Sequence, residues 1–434
     1  MKRSIRWIIL VAALVSLLAL TGCTLGSSVE SLFTLPQLPE EYRGLSETLE
    51  TMLDEGYIYL TPTVGPNIEP VQMVDLDADG TKEAVVLMQH NGDSAPLKVM
   101  VFHQSGGSFE RLCTVEKQGV GIDSIDYRDL TGDGVSELLI GWRNERDKQR
   151  ISVHLAEHEA LPLMESGYEE YLVQDMTGDG TPGLVLISTD FRGTPIAKYY
   201  AWETDILRQL YACGISSETE ELSRGSMVGG YLDGGIPAVF LTAVREGNMA
   251  TTEILACKDG EFVSIAPQNE SRYYCQLDPQ DIDGDGITEV PYPLQSTDST
   301  AAAKDTVVQW RRYDAFGTWR KVSETYHCQS YGWYITWPEE YWNGITVSNG
   351  DIITGENCAE LFLRGKPVAA VYSITCENRE SRAQMGDRFI VMRLPGTIYS
   401  AEIYGETAAD GASITALRDS FSLIVNTWDL SGKE

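Results

Sequence analysis

The sequence has little positive charge. Only 33 Lys and Arg residues accompany 64 Asp and Glu residues in a chain of 434, so the formal net charge is −31. A surface this acidic repels phosphate groups, which excludes nucleic-acid binding driven by counterion release and argues against attraction to anionic lipid headgroups. The composition instead points to a cation as partner. With 43% hydrophobic and 22% charged residues, the chain is otherwise typical of a globular protein of two or three domains.

Signatures of catalysis are also scarce. The sequence has five histidines and contains no GxSxG elbow, no HExxH motif, no P-loop and no complete dinucleotide-binding glycine set. We therefore assign no catalytic residues and no organic cofactor, and an enzyme is the less favoured class.

Long apolar runs are absent except for one near the N-terminus. Three basic residues precede an apolar run at residues 7–20, which is shorter than the roughly 20 residues that span a bilayer. This arrangement predicts an export signal at residues 1–22. The segment Leu20-Thr21-Gly22-Cys23 resembles the lipobox of bacterial lipoproteins, which implies cleavage before Cys23 and lipid attachment to its sulfur. We expect a chain anchored by lipid on the extracytoplasmic face of the cell membrane; an ordinary signal peptide is the alternative.

Seven further cysteines follow, and no two of them have CxxC spacing. An odd number cannot pair completely, and most of them lie in apolar, strand-like runs. We predict small core residues with one or two disulfides, and no metal framework. These cysteines are Cys113, Cys213, Cys257, Cys275, Cys328, Cys358 and Cys376.

An acidic nine-residue pattern recurs about every fifty residues. Its copies begin at residues 75, 129, 175, 230 and 281, and the copy at 230 has no acid at a ligand position. Each of the first four copies precedes an apolar run of β type, and further strand-like runs and turn residues follow within each unit. Three or four short strands per fifty residues predict the blades of a β-propeller.

The pattern Asp-x-Asp-x-Asp-Gly-x-x-Glu suits a hard cation. It presents oxygens at alternate residues, the glycine allows a sharp bend, and the last carboxylate closes the shell. Such oxygen-only ligands favour Ca²⁺ over Mg²⁺ or Zn²⁺. An EF-hand is excluded because its twelfth loop position carries a bidentate Glu. The residues at that position here are Val86, Ile140, Leu186 and Tyr292.

This short loop between strands resembles the FG-GAP or VCBS-type repeats of integrin-α-like β-propellers, over roughly residues 57–325. The resemblance implies calcium ligands in four copies, where the seventh residue acts through its carbonyl oxygen. They are Asp75, Asp77, Asp79, Thr81 and Glu83 in the first copy; Asp129, Thr131, Asp133, Val135 and Glu137 in the second; Asp175, Thr177, Asp179 and Thr181 in the third; and Asp281, Asp283, Asp285, Ile287 and Glu289 in the last.

The copies differ in their number of acids. The first and last have four carboxylates, the second has three, and the third has two because Gly183 replaces the closing acid. We predict affinity in that order, with dissociation constants of about 10⁻⁴ to 10⁻³ M at the best sites. The alternative for each copy is an acidic turn between strands that binds no metal.

The expected fold is mainly β: a propeller at residues 57–325 and a small C-terminal α+β domain at 326–434, preceded by the lipidated cysteine, a tether and a short helix at 23–56. Family members usually have seven blades, whereas five units are visible here. Either five blades close with an early strand at 57–61, or blades without acids lie elsewhere. The flanking helices have apolar stripes: Tyr42, Leu45, Leu49 and Leu53 in the first, and Ile414, Leu417, Phe421, Ile424 and Trp428 in the last.

An aromatic cluster opens the C-terminal region. Trp333 and Trp337 alternate with Ile335, which favours a buried strand face over a platform for sugar rings. The remaining aromatic residues of this cluster are Tyr334, Tyr341 and Trp342.

The sequence thus favours a calcium-binding, membrane-anchored lipoprotein whose propeller is a platform for a surface protein or a polysaccharide ligand. Two alternatives stay open. One is a cell-envelope enzyme acting on polysaccharide, because propellers can hold catalytic acids scattered over several blades. The other is a structural scaffold for envelope assembly.

Overall fold

The computed structural model describes residues 42–106, 108–144, 149–157, 160, 162–223, 225–258, 260–265, 271–294, 305–405 and 411–424. The predicted export signal, Cys23 and the tether lie outside these residues. Within them, no helix has the length and apolar character needed to cross a membrane. The chain separates into a small unit, residues 1–56 with 104–110, and a large unit, residues 57–103 with 111–434.

The helix of the small unit, α1 (Arg43–Asp54), buries one face. Leu45, Leu49 and Met52 are its buried residues, and their spacing of four and three places them on one side of the helix. Leu53, which the sequence suggested for this stripe, is 39% exposed.

The large unit is mainly β, as predicted. Among the described residues, the strands of the chain form six antiparallel sheets, and none of them closes into a barrel. The first sheet comprises β1 (Ile58–Tyr59), β2 (Val71–Val74), β3 (Glu83–Gln89), β4 (Leu97–Ser105) and β5 (Ser108–Lys117). The second comprises β6 (Gly121–Arg128), β7 (Glu137–Arg143), β8 (Gln149–His154) and β9 (Pro162–Gly167). The third comprises β10 (Glu170–Gln174), β11 (Gly183–Thr189), β12 (Pro195–Glu203) and β13 (Ile206–Gly214).

The remaining strands continue in chain order. The fourth sheet comprises β14 (Ser226–Leu232), β15 (Ile236–Arg245), β16 (Met249–Lys258), β17 (Glu261–Ile265) and β18 (Arg272–Tyr273). The fifth comprises β19 (Glu289–Pro293), β20 (Asp305–Tyr313), β21 (Trp319–Cys328) and β22 (Trp333–Thr336). The sixth comprises β23 (Ile345–Ile353), β24 (Glu356–Leu363), β25 (Lys366–Ile374), β26 (Phe389–Leu394) and β27 (Thr397–Ile403). The last strand, β28 (Phe421–Leu423), returns to pair with β22. Short helices are α2 (Thr219–Leu222), α3 (Arg379–Arg382) and α4 (Gly411–Ser420).

Neighbouring strands of the first five sheets follow one another along the chain, with three exceptions: β1 pairs with β3, β18 pairs with β16, and β28 is added beside β22. The early strand expected at residues 57–61 is present as β1, which pairs with β3. In the sixth sheet the order changes, because β27 lies between β25 and β26.

Hydrophobic clusters lie between consecutive sheets. Leu138 and Ile140 of β7 pack with residues of the first sheet, whereas Leu139 packs with Leu184 of the third sheet. Strand β7 is therefore covered on both faces, which explains why its sequence is a continuous apolar run and does not alternate with polar residues. Clusters of the same kind join the third sheet to the fourth, the fourth to the fifth, and the fifth to the sixth.

The C-terminal region is not separated from the fifth sheet at residue 326. That position lies inside β21, and β22 and β28 of the predicted C-terminal domain complete the same sheet. The last helix also differs from expectation. It ends at Ser420, and Phe421 begins a strand, so the helical stripe does not extend to Ile424. Trp428 lies outside the described residues.

The aromatic cluster is a core element at Trp333, whereas Tyr334, Trp337 and Trp342 are half-buried and Tyr341 is exposed. Trp333 and Ile335 are buried, and the Trp333 indole N–H donates to the Ser373 hydroxyl at 3.0 Å. The ammonium group of Lys321 lies 4.7 Å from the centroid of the Trp342 ring.

The seven described cysteines are free thiols. The expectation of one or two disulfides was therefore wrong for the residues that the structure describes. Burial raises the pKa of Cys113 to about 11 and that of Cys213 to about 12, so both thiols stay protonated at neutral pH. They act as small apolar core residues, which the sequence did predict.

Candidate functional site: four acidic loops

The acidic loops take equivalent places in the sheets. All four connect one strand, or one isolated bridge, to the next strand. They are numbered by their copy in the sequence, so the loop at 281–289 is the fifth loop. In each, the residue before the loop pairs with the ninth residue of the pattern. These pairs are Val74 with Glu83, Arg128 with Glu137, Gln174 with Gly183, and Gln280 with Glu289. In the fourth sheet a tight turn replaces the loop, and Leu232 pairs with Ile236.

The first loop brings three carboxylates together. One ligand oxygen each from Asp75, Asp77 and Glu83 lies within 4.8 Å of the others. Glu83 is 6% exposed, and its Oε2 accepts the Leu76 N–H at 2.9 Å. The Gly80 N–H donates to Asp75 Oδ2 at 3.1 Å, which turns the chain back around the acids. Three convergent carboxylates with a sharp glycine bend form an oxygen-rich cage of the type that Ca²⁺ prefers.

Asp79 lies outside this group of three. Its Oδ1 accepts the Thr81 N–H at 2.6 Å, so this oxygen stabilises the turn. Burial raises the pKa of Glu83, and the negative charges of Asp77 and Asp79 raise it further, while the bond from the Leu76 N–H lowers it. The acids of this loop repel one another without a cation.

One oxygen of the first loop has no hydrogen-bond partner. Asp75 Oδ1 is buried, and nothing donates to it. In the other loops the equivalent Oδ1 accepts the N–H of a glycine at the fourth position: Gly132 at 2.6 Å, Gly178 at 2.7 Å and Gly284 at 2.8 Å. The first loop has Ala78 at that position, with φ +56°. A buried carboxylate oxygen without a partner, beside two other acids, fits the coordination of a cation.

The second loop is partly closed on itself. Glu137 is fully buried, and its Oε2 accepts the N–H groups of Leu130 at 2.7 Å and Thr131 at 3.2 Å. Burial raises the pKa of Glu137 to about 7, with further increases from Asp129 and Asp133. These three acids do not form a group within 4.8 Å among the described residues. Asp133 Oδ1 instead accepts the Val135 N–H at 2.9 Å.

In the third loop a tyrosine fills the place of the missing acid. A Cβ added to Gly183 would lie 2.4 Å from the Tyr199 hydroxyl oxygen, and that oxygen accepts the Met176 N–H at 3.3 Å. Tyr199 therefore accepts the amide that Glu83 and Glu137 accept in their loops. Burial raises the pKa of Asp175, but N–H donors outweigh that effect and hold this pKa below its usual range. The Gly180 N–H contributes most among them.

The other acid of the third loop, Asp179, accepts the Thr181 N–H at 2.8 Å, and the Thr177 hydroxyl donates to Asp175 at 3.0 Å. This arrangement favours the alternative of an acidic turn without metal.

The fifth loop contains an arginine. Asp281, Asp283 and Asp285 converge within 4.8 Å, as the three acids of the first loop do. The guanidinium of Arg312 lies 3.1 Å from Asp283, 2.6 Å from Asp285 and 2.8 Å from Glu289. Burial raises the pKa of Glu289 to about 7, whereas the Arg312 guanidinium opposes that increase. The four acids alone predicted that this loop equals the first, because the arginine lies one strand further along the chain and outside the nine-residue pattern.

Backbone hydrogen bonds connect some of the loops. The Ser136 N–H donates to the Leu76 carbonyl at 2.7 Å, and the Thr288 N–H donates to the Tyr231 carbonyl at 2.9 Å. Both donors are the eighth residue of their pattern. The third and fourth copies have proline there, Pro182 and Pro237, which has no N–H to donate.

A cleft of about 1350 Å³ lies between the fourth and fifth sheets. Phe316, at the β20–β21 turn, is 80% exposed, and the Lys258 ammonium lies 3.7 Å from its ring centroid. Arg311 stacks on Trp319, which also lines the cleft, at 3.8 Å. The sequence did not predict this surface, because the aromatic cluster that stands out in it lies around Trp333. The signal for it was an aromatic residue in the turn Ala315-Phe316-Gly317, where no core is within reach.

Neither the family models nor the curated proteins give a match to this chain. Among solved structures, the chain is similar to a rhamnogalacturonan lyase from Bacillus licheniformis, at 11% identity and a TM-score of 0.32, covering 72% of this chain and 76% of the lyase. It is also similar to an exo-β-1,3-galactanase from Phanerochaete chrysosporium, at 10% identity and a TM-score of 0.26, covering 73% of this chain and 76% of the galactanase. Both TM-scores are too low to support an argument about function.

Proposed function

We propose that this chain is a calcium-binding extracytoplasmic lipoprotein, anchored through Cys23, whose β-sheets form a rigid platform for a protein or glycan ligand. The observation that supports calcium best is the first loop: its three carboxylates converge, and one of them, Asp75, has a buried Oδ1 without a hydrogen-bond partner. In this proposal Asp75, Asp77 and Glu83 hold the ion. The ion supplies positive charge that offsets their repulsion and fixes the loop between β2 and β3.

We further propose that the sheets are the blades of a propeller related to the FG-GAP or VCBS type. Three features support it: consecutive sheets share hydrophobic clusters, the acidic loops occupy the same place in their sheets, and backbone bonds connect the first loop to the second and the fourth to the fifth. The sixth sheet supports a sixth blade, because its strand β24 begins with the fully buried Glu356, as β19 of the fifth sheet begins with the fully buried Glu289.

The cleft beside Phe316 is the proposed ligand surface. Exposed aromatic rings are suited to stack on sugar rings or to anchor a protein partner. Glu253 is the acidic residue of this cleft in the described part of the chain, and its carboxylate already accepts the hydroxyls of Ser216 and Ser264. A cleft with one committed carboxylate favours binding over glycoside hydrolysis, which uses a pair of carboxyl groups.

Calcium titration of the purified full-length chain in detergent tests this proposal. We expect calorimetry to detect binding with a dissociation constant of about 10⁻⁴ to 10⁻³ M, and Asp75→Asn to weaken it at least tenfold. Asp175→Asn, the same position in the loop that Tyr199 closes, is the matched control and is expected to leave this binding unchanged. No binding at millimolar calcium, or equal binding by Asp75→Asn, would contradict the assignment.

A further inference from the structure

Arg312 lies among the acids of the fifth loop and is buried there. Its side chain is 6% exposed, and its guanidinium nitrogens pair with Asp283, Asp285 and Glu289, all within 3.1 Å. The fourth acid, Asp281, accepts backbone N–H groups, including that of Gly286 at 2.7 Å. Every carboxylate of the loop therefore has a donor already.

The register of the fifth sheet places the arginine there. Strand β20 pairs with β19 so that Arg312 is directly opposite Glu289, the closing acid of the pattern. In the fourth sheet the same register places Ala256 opposite Ala238, and neither position carries a charge. The buried cation and the buried closing acid thus occur together, as expected of a pair in which each neutralises the other.

A calcium ion and this guanidinium cannot share the loop. Ca²⁺ needs direct contact with six to eight oxygens, and one oxygen each of Asp283, Asp285 and Glu289 is already paired with Arg312. Two positive centres within contact distance also repel each other. The first loop differs, because none of its acids pairs with a basic side chain of the described residues.

We propose that Arg312 is a built-in cation that takes the place of Ca²⁺ in the fifth loop, so that this loop is held in its folded form without metal. The proposal deepens the calcium assignment of the first loop and rests on the same pattern of ligands. The sixth sheet contains a parallel case: the buried Glu356 pairs with Arg382 and, at 2.9 Å, with Arg388. Arginine thus neutralises a fully buried glutamate at the start of a strand in two successive sheets.

Substitution of Arg312 tests the proposal by a gain of binding. We expect calorimetry on full-length Arg312→Gln to detect one more bound Ca²⁺ than in the wild type. We expect its thermal midpoint to fall in EDTA and to recover when calcium is added. Arg312→Lys keeps a cation in the loop and is expected to bind no additional ion. Arg320→Gln is the matched control, since Arg320 is opposite Arg312 on β21 but is exposed.

A second variant separates this proposal from the calcium assignment. Asp281→Asn in the wild-type background should leave the number of bound calcium ions unchanged, whereas Asp75→Asn should remove one. If Asp281→Asn removes an ion, the fifth loop binds calcium beside Arg312 and the proposal is wrong. If folded Arg312→Gln gains no ion, the arginine does not occupy a calcium position. If Arg312→Gln gains an ion but Asp75→Asn loses none, the calcium assignment of the first loop is wrong and the role of Arg312 stands.

Discussion

The first and fifth loops carry the same acids at the same spacing, but their surroundings differ. In the first loop Asp75 keeps a buried oxygen without a partner, and no basic side chain of the described residues pairs with the acids. In the fifth loop Arg312 pairs with three carboxylates. The comparison teaches that the nine-residue pattern determines how the chain turns, whereas a residue on the adjacent strand determines what neutralises the acids.

The largest expected effect separates the closing acids of the two loops. In EDTA, Glu289→Gln should lower the free energy of unfolding by about 3 kcal/mol, because it removes the buried partner of Arg312. Glu83→Gln should cause no loss, because a neutral amide still accepts the Leu76 N–H and removes the repulsion from Asp77. Urea denaturation of both variants measures the difference. Equal losses would mean that the two loops are neutralised in the same way.

Calcium should stabilise the protein through the first loop. At a free calcium concentration of 100 times its dissociation constant, one ion adds about 2.7 kcal/mol to the free energy of unfolding. Thermal unfolding with and without EDTA should therefore give different midpoints for the wild type and for Asp175→Asn, and the same midpoint for Asp75→Asn. A calcium shift that persists in Asp75→Asn would place the ion elsewhere.

Acid should destabilise the protein through His327 in the fifth sheet. Because this effect would add to that of the loops, the first and fifth loops are best compared above about pH 6.5. Burial lowers the pKa of His327 from 6.5 to about 3, and neither ring nitrogen has a hydrogen-bond partner. The unfolded chain takes up this proton below pH 6.5 and the folded chain does not. Stability is therefore lost as the pH falls from 6.5 towards 3, by up to about 1.4 kcal/mol per pH unit.

His327→Phe should reduce that slope, because a phenylalanine ring takes up no proton. The substitution should be tolerated, because the His327 ring stacks on Tyr334 and makes no hydrogen bond. Urea denaturation at several pH values between 4 and 7 measures it. An unchanged slope in the variant would assign the acid sensitivity to other groups.

The smallest effect concerns the third loop. Tyr199→Phe removes the acceptor of the Met176 N–H and should cost about 1 kcal/mol. Tyr200→Phe, on the neighbouring residue, is the control and should cost less, because its hydroxyl contacts Gln209 at the surface. Chemical denaturation of both variants provides the test; equal losses would mean that Tyr199 does not substitute for the closing acid.

The sequence predicted the local features of this structure well. The acidic loops lie between strands, and the apolar runs after the first four copies are buried strands, because both features depend on residues that are close together in the chain. Arg312 could not be assigned in this way. It is 23 positions after Glu289, and only the pairing of β19 with β20 places the two side chains opposite each other. Tyr199 is a similar case, since Gly183 indicated that an acid was missing but not which residue fills the space.

The boundary expected at residue 326 was set by composition. Residue 326 lies inside β21, and β21 pairs with β22 beyond it. The change in composition therefore does not mark the end of the sheet. Strand β28 begins 85 residues after the end of β22, yet the two strands pair. No local pattern encodes such a contact.

The central claim is that the first loop holds calcium where the fifth loop holds an arginine. A crystal structure grown in calcium, with an anomalous difference map, tests this most directly. We predict a peak between the carboxylates of Asp75, Asp77 and Glu83, within 2.3–2.6 Å of their oxygens, and no peak in the fifth loop. A peak among Asp281, Asp283 and Asp285, with Arg312 displaced from them, would contradict the claim.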